Sequence, residues 1–237
     1  MDEGSQETVQ VNFGRPFPIF PLDRVTLLPH AVAPLYIFEA RYRQMVTEVL
    51  DAAGQIAMAV YRDSAWPDST EGAPAIERAV CVGQIAQHAK GPDGTYKVLL
   101  QGVCRARVID ELLPEGERLY RMAQLEPLEA PQVPDEALQP ARERILDLLQ
   151  SRELSELASV HGVPDEVEER DIPTSALIEL LAFSVIDEPR VQYDILAEGD
   201  VTCRARIVEG ELARLRRLVR RARLQHDPEA PRGVTWN

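Results

Sequence analysis

Between Phe17 and Leu50 the chain reads FPIFPLDRVTLLPHAVAPLYIFEARYRQMVTEVL, short apolar runs broken by prolines and then one change of period. No other stretch constrains the fold as tightly. Phe17 to Leu22 is too short for a helix and too rich in proline for a central strand, so it reads as an edge strand. Val25 to Leu28 is a second extended run, stopped by Pro29. Leu35 to Phe38 is a third, entered through Pro34, which biases Ala33 towards extended geometry. From Glu39 onward Tyr42, Met45, Val46, Val49 and Leu50 recur at three and four residues, the pattern of an amphipathic helix. Three strands and a helix in so short a space predict the nucleus of an α+β domain.

Gly54 reads as the stop of that helix and Gln55 to Tyr61 as a buried strand. Residues 63–76, rich in Pro, Gly, Ser and Asp, read as a surface loop that carries Trp66, a candidate contact aromatic. Asp93-Gly94 between the extended runs from Ala79 and from Tyr96 signals a hairpin, because glycine supplies the positive φ of the turn. Gly102 reads as a bulge or bend in the second run. Leu119 to Leu128 reads as a last strand. Residues 131–140 form an expected linker with Pro131, Pro134 and Pro140. Beyond it only helices are predicted: from Pro140 to about His161, from Ser175 to Ile186 under a Thr174 hydroxyl cap, a short one closed by Gly199, and one from Val201 to about Leu224 capped by Asp200. The charge run Asp165 to Asp171 reads as a solvated loop. The last helix has an apolar seam of Val201, Ala205, Val208, Leu212, Leu215, Val219 and Ala222, fit for internal packing or a dimer contact. Its arginines read as spread around the helix.

Charge and chemistry exclude several classes. Asp and Glu number 39 against 26 Lys and Arg, a formal net charge of −13, which argues against bulk attraction to nucleic acid. Cys81, Cys104 and Cys203 fit neither a disulfide framework nor a zinc site, and suggest a reducing cytoplasm. No run approaches the ~18 apolar residues of a membrane span. The start, MDEGSQETVQ, has no apolar core of a signal peptide. Phosphate binding of the G-x-x-x-x-G-K-[ST] kind is missing; Gly91 to Lys97 has the wrong spacing and a proline where an amide donor is needed. Lys90 and Lys97, the two lysines, both lie in the hairpin, so no Ser–Lys dyad is expected, and the histidines sit in no nucleophile elbow. The expectation is a protein with no catalysis, cofactor or metal of its own.

FPIFPL, the proline-ended VTLLP and PLYIFEARYRQM resemble the opening of the N-terminal substrate-binding domain of Lon proteases. The family's P-L-x-I-F-E-x-R-Y-x-x-M segment is met in register by Pro34, Leu35, Ile37, Phe38, Glu39, Arg41, Tyr42 and Met45. His30 stands where that family usually has glycine, and takes a positive φ less readily. A later V-G-x-I and D-G-x-x-x-V-L-L-x-G-x-x-R-x-R carry the likeness to Gly102 and Arg105. The resemblance implies a small PUA-like pseudo-barrel of mostly antiparallel strands over residues 15–130, then a helical bundle over 141–226, with tails at 1–14 and 227–237. It implies binding of exposed or unfolded polypeptide, or of a protein partner such as a separate protease. Phe17, Phe20, Leu22, Tyr36, Phe38 and Trp66 are the candidate peptide contacts, with Phe38 also expected to be needed for folding. Pro34, Leu35, Ile37, Glu39, Arg41, Tyr42, Gly102 and Arg105 are expected to hold the framework, Glu39 by pairing locally with Arg41 and Arg105 by bracing its strand against a carboxylate. The alternatives are an adaptor that docks onto another protein and RNA binding through the Arg-rich last helix.

Overall fold

A computed structural model describes residues 9–62, 74–161, 163–169 and 171–225. Its strands are β1 (Phe17–Leu22), β2 (Val32–Ile37), β3 (Gln55–Val60), β4 (Ala79–Lys90), β5 (Tyr96–Leu112) and β6 (Met122–Pro127), with α1 (Ala40–Leu50) between β2 and β3. Helices follow: α2 (Asp135–Leu149), α3 (Arg152–Ser155), α4 (Val163–Glu169), α5 (Thr174–Ser184), α6 (Pro189–Ala197) and α7 (Val201–Gln225). The architecture is α+β, as the sequence predicts.

The 17-residue β5 organises the sheet. Its first half runs between β4 and β2, and its second half, past bulges, turns to pair with β6. The strand order is β2-β5-β4-β3-β1-β6, and the β5–β6 pairing closes five of the six strands into a hydrogen-bonded ring with β2 outside it. All neighbours are antiparallel except β1 and β3. Phe17, Ile19, Ala57, Val80, Val82, Ala106, Ala123 and Leu125, from all five ring strands, meet in one core cluster. A second cluster lies under α1 and continues into the helices. The Tyr193 hydroxyl of α6 accepts the Ala79 amide of β4 at 3.1 Å, tying the helices to the sheet.

Four expectations need correction. First, β1 is an interior strand, not an edge. Its β6 ladder covers only Phe17 and Pro18, with Ile19 donating to the Arg121 carbonyl at 2.9 Å, and its β3 ladder begins at Ile19. Pro18 and Pro21 therefore place their missing N–H groups just outside the ladder each would have served. Second, Val25 to Leu28 is not a strand. Residues 25–28 join no strand of the sheet, and positive φ at Arg24 (56°) and His30 (66°) turns the chain at either end.

Third, α2 starts at Asp135, so Pro140 lies inside a helix. The broken bond is tolerated because both Pro140 and Glu136, whose carbonyl loses its donor, are exposed. Residues within the charge run after Asp165 belong to α4, anchored by Val167 at 2% exposure. Fourth, the Thr174 hydroxyl caps nothing. It is buried without a hydrogen-bond partner, and the Thr174 amide is taken by Asp135 Oδ1 from α2 at 2.8 Å. Asp200 does cap α7, accepting from the Thr202 and Cys203 amides at 2.7 and 3.3 Å.

Candidate functional site

Among the described residues β2 pairs with β5 alone, which leaves its other edge to solvent. Side chains alternate along a strand. Ala33 and Ile37 point into the core at 4% and 2% exposure, while Val32, Pro34, Tyr36 and Phe38 share the outer face. Val32, Tyr36 and Phe38 are 45%, 57% and 61% exposed, and the two rings stack with centroids 6.1 Å apart. Exposed apolar side chains in line on an open edge are what soluble proteins ordinarily avoid. The Gly102 amide bonds the Ala31 carbonyl at 2.8 Å. By alternation Val32, Pro34 and Tyr36 turn their backbone groups outward, and Pro34 removes the middle donor of that row. The row of outward donors is thereby interrupted at Pro34.

A second pair of exposed apolar side chains flanks the loop between β5 and β6. Leu113 and Leu119, 58% and 51% exposed, line a cavity of about 370 Å³ with Ile19, Pro21 and Tyr42. Gln44 of α1 fixes its wall by donating to the Glu117 carbonyl and accepting from the Leu119 amide.

The framework residues do separate work. Glu39 accepts Arg41 Nε at 2.9 Å at the strand-to-helix junction, and the Arg41 guanidinium covers the Tyr42 ring at 4.6 Å. Tyr42 is buried edge-on against Phe20, and burial pushes its phenol pKa up. Pro34, Leu35 and Ile37 pair with Leu99, Val98 and Tyr96 of β5. Arg105, 1% exposed, reaches Glu179 of α5 and Glu129 after β6, and Arg204 of α7 reaches the same two carboxylates. Burial and then the like charge of Arg105 lower the Arg204 pKa, against the pull of Glu179 and Glu129. Two cations and two anions bind sheet to helices and leave no uncompensated charge for a ligand.

Not every candidate reaches the surface. Phe17 and Phe20, at 1% and 5% exposure, are core residues: Phe17 faces the cluster within the ring, and Phe20 on the opposite face is covered by Tyr42 of α1. They present no face to a peptide. Leu22 is half-buried at the end of β1, and Trp66 lies outside the described residues. Phe38, expected to be essential for folding, is instead the most exposed of the large apolar side chains described. Val32 escaped notice in the sequence, although its even spacing with Pro34, Tyr36 and Phe38 was the available signal. Burial raises the Cys104 thiol to about 11 and Cys81 further still, so neither is a thiolate at neutral pH. Among the described residues no group of three His, Cys, Asp or Glu is placed to hold a metal, and no helix is long and apolar enough to cross a membrane.

A family profile described as the ATP-dependent protease La (LON) substrate-binding domain matches residues 16–214. The chain belongs to this family. The Lon protease of Azorhizobium caulinodans is 32% identical over 93 residues, which are 39% of this chain and 11% of that protein. The Lon protease of Haemophilus influenzae is 32% identical over 138 residues, 57% of this chain and 16% of that protein. The chain thus spans only a small fraction of the relatives it matches. Among solved structures, the N-terminal domain of Mycobacterium avium complex Lon protease superposes with a TM-score of 0.61 at 17% identity, covering 84% of this chain and 98% of that one. A Lon N-terminal domain protein from Xanthomonas campestris gives 0.53 at 21% identity with the same coverage. These two likenesses show the fold. His30, which stands in the turn before β2, takes a positive φ of 66°.

Proposed function

We propose that this Lon-family domain recognises exposed apolar segments of polypeptide, as unfolded chains present them, and that the outer face of β2 is where they dock. The observation that carries this is the row of Val32, Pro34, Tyr36 and Phe38 on an open edge, with two stacked aromatics at its end. Aromatic rings give large contact area at low entropic cost. The role of these residues is to hold the segment, and a protease is the partner that would act on what they hold. The test is fluorescence anisotropy with a labelled, permanently unfolded polypeptide and its folded counterpart. Binding to the unfolded form alone, weakened at least about tenfold by Tyr36→Ala with Phe38→Ala, is expected. Equal binding of both forms, or no loss in the variant, contradicts the proposal.

A further inference from the structure

Arginines are concentrated on one helix of an otherwise acidic chain. At about 100° per residue, Arg206, Arg214, Arg216, Arg217, Arg220 and Arg221 fall within an arc of about 160° on α7 that starts beside Ala205 and runs round the side away from Val201, Val208 and Leu212. Arg204 and Arg223 lie on the seam side, so the eight arginines together are spread around the helix as the sequence suggests, and six of them share this exposed side. The first half of the seam is buried in the core, and all six arginines are exposed. Arg214 pairs with Glu211 at 2.6 Å. Arg216, Arg217, Arg220 and Arg221 make no ion pair or hydrogen bond among the described residues.

The face is also accessible to a long ligand. Gly210 and Ala213 lie between Arg206 and Arg217, and a side chain at Gly210 would meet nothing within 4 Å. A groove of about 540 Å³ runs there between α7 and α2. Its acid Glu209 is already neutralised by both 2.9 Å bonds from Arg144, while Asp147 stands on its α2 rim.

We propose that this face binds the phosphate backbone of a single-stranded nucleic acid. From Arg206 to Arg221 the helix rises roughly 22 Å, the length of about six nucleotides at ~3.4 Å each. A guanidinium fork takes phosphate oxygens two at a time, which suits arginine more than lysine. A membrane surface would require an apolar face beside the basic one, and Leu218 is the one large apolar side chain of α7 that is exposed among the described residues. The net charge of −13 confines attraction to this face and makes the binding weak and salt-dependent.

The test is anisotropy of a labelled 20-nucleotide RNA, with a poly-glutamate peptide and anionic lipid vesicles beside it. Neutralising about four phosphates predicts about fifty-fold weaker binding at about 200 mM salt than at about 50 mM. Arg216→Ala with Arg217→Ala, and Arg220→Ala with Arg221→Ala, should each remove about half of the salt slope, and all four together should abolish binding while circular dichroism stays unchanged. Tyr36→Ala should leave RNA binding intact, which separates this site from the β2 stripe. No RNA binding at low salt, an unchanged slope in the variants, or equal binding of the peptide or vesicles would overturn the proposal.

Discussion

Gly102 lies directly against the Leu28 carbonyl: a Cβ at position 102 would stand 2.0 Å from that oxygen. The glycine also accepts the His30 amide at 3.0 Å and donates to Ala31, so one residue of β5 clamps the whole buried loop that carries Leu27 and Leu28. The obstacle is backbone, which cannot swing aside. Gly102→Ala is expected to cost at least about 1–3 kcal/mol in urea unfolding. A variant as stable as the parent would show that the loop is not held there.

Glu179 sits between the buried guanidiniums of Arg105 and Arg204 at 2% exposure. Glu179→Ala strands both cations in the interior and should destabilise by about 3–5 kcal/mol. Arg107, more than half exposed, pairs with Glu126 at 3.2 Å, and Arg107→Ala should cost under about 1 kcal/mol. Comparable losses in the two variants would contradict this placement of the charges.

Signals that act within a single turn were legible in the sequence. Gly94 and Gly54 take φ of 80° and 69° at the hairpin and after α1, and Asp200 caps its helix. What was not legible depends on distant partners. Val25 to Leu28 look like a strand until the turns at Arg24 and His30 and the contact with Gly102 are seen to hold them as a loop. Pro18 and Pro21 forbid an interior strand unless the ladders on either side are staggered, which only the ring reveals. Of the site, Tyr36 and Phe38 stood among the candidates, but separating them from Phe17 and Phe20 required knowing which faces the ring turns inward. Glu179 left a readable trace as a lone acid within the apolar run ALIELLAF, although its two arginines come from β5 and α7.

The helix-capping correction has its own consequence. Asp135 accepts the Thr174 amide, so Asp135→Ala should cost about 1 kcal/mol. Thr174→Val removes a buried hydroxyl that has no partner and should be neutral or slightly stabilising. Thermal unfolding distinguishes them, and a larger loss in Thr174→Val would restore the hydroxyl cap.

Asp200 predicts an acid-sensitive contribution. Hydrogen bonds from the Thr202 and Cys203 amides hold its carboxyl below the ordinary carboxylate range. A depressed folded value means that the ionised form favours the fold, so the contribution is present above the unfolded value of about 4 and disappears as pH falls through the folded one. The stability gap between the parent and Asp200→Asn should therefore close on acidification below about pH 4. A gap that stays constant from pH 6 to pH 2 would contradict the assignment.

The stacked pair of Tyr36 and Phe38 bears most directly on what the domain does. Both rings are more than half exposed, so the variant with Tyr36→Ala and Phe38→Ala should unfold in urea within about 1 kcal/mol of the parent. The decisive measurement is the affinity of that folded variant for a permanently unfolded polypeptide, at low and at physiological salt. A loss of at least about tenfold that salt does not alter is expected, since the contacts are apolar. An affinity equal to that of the parent would place polypeptide recognition elsewhere on the molecule.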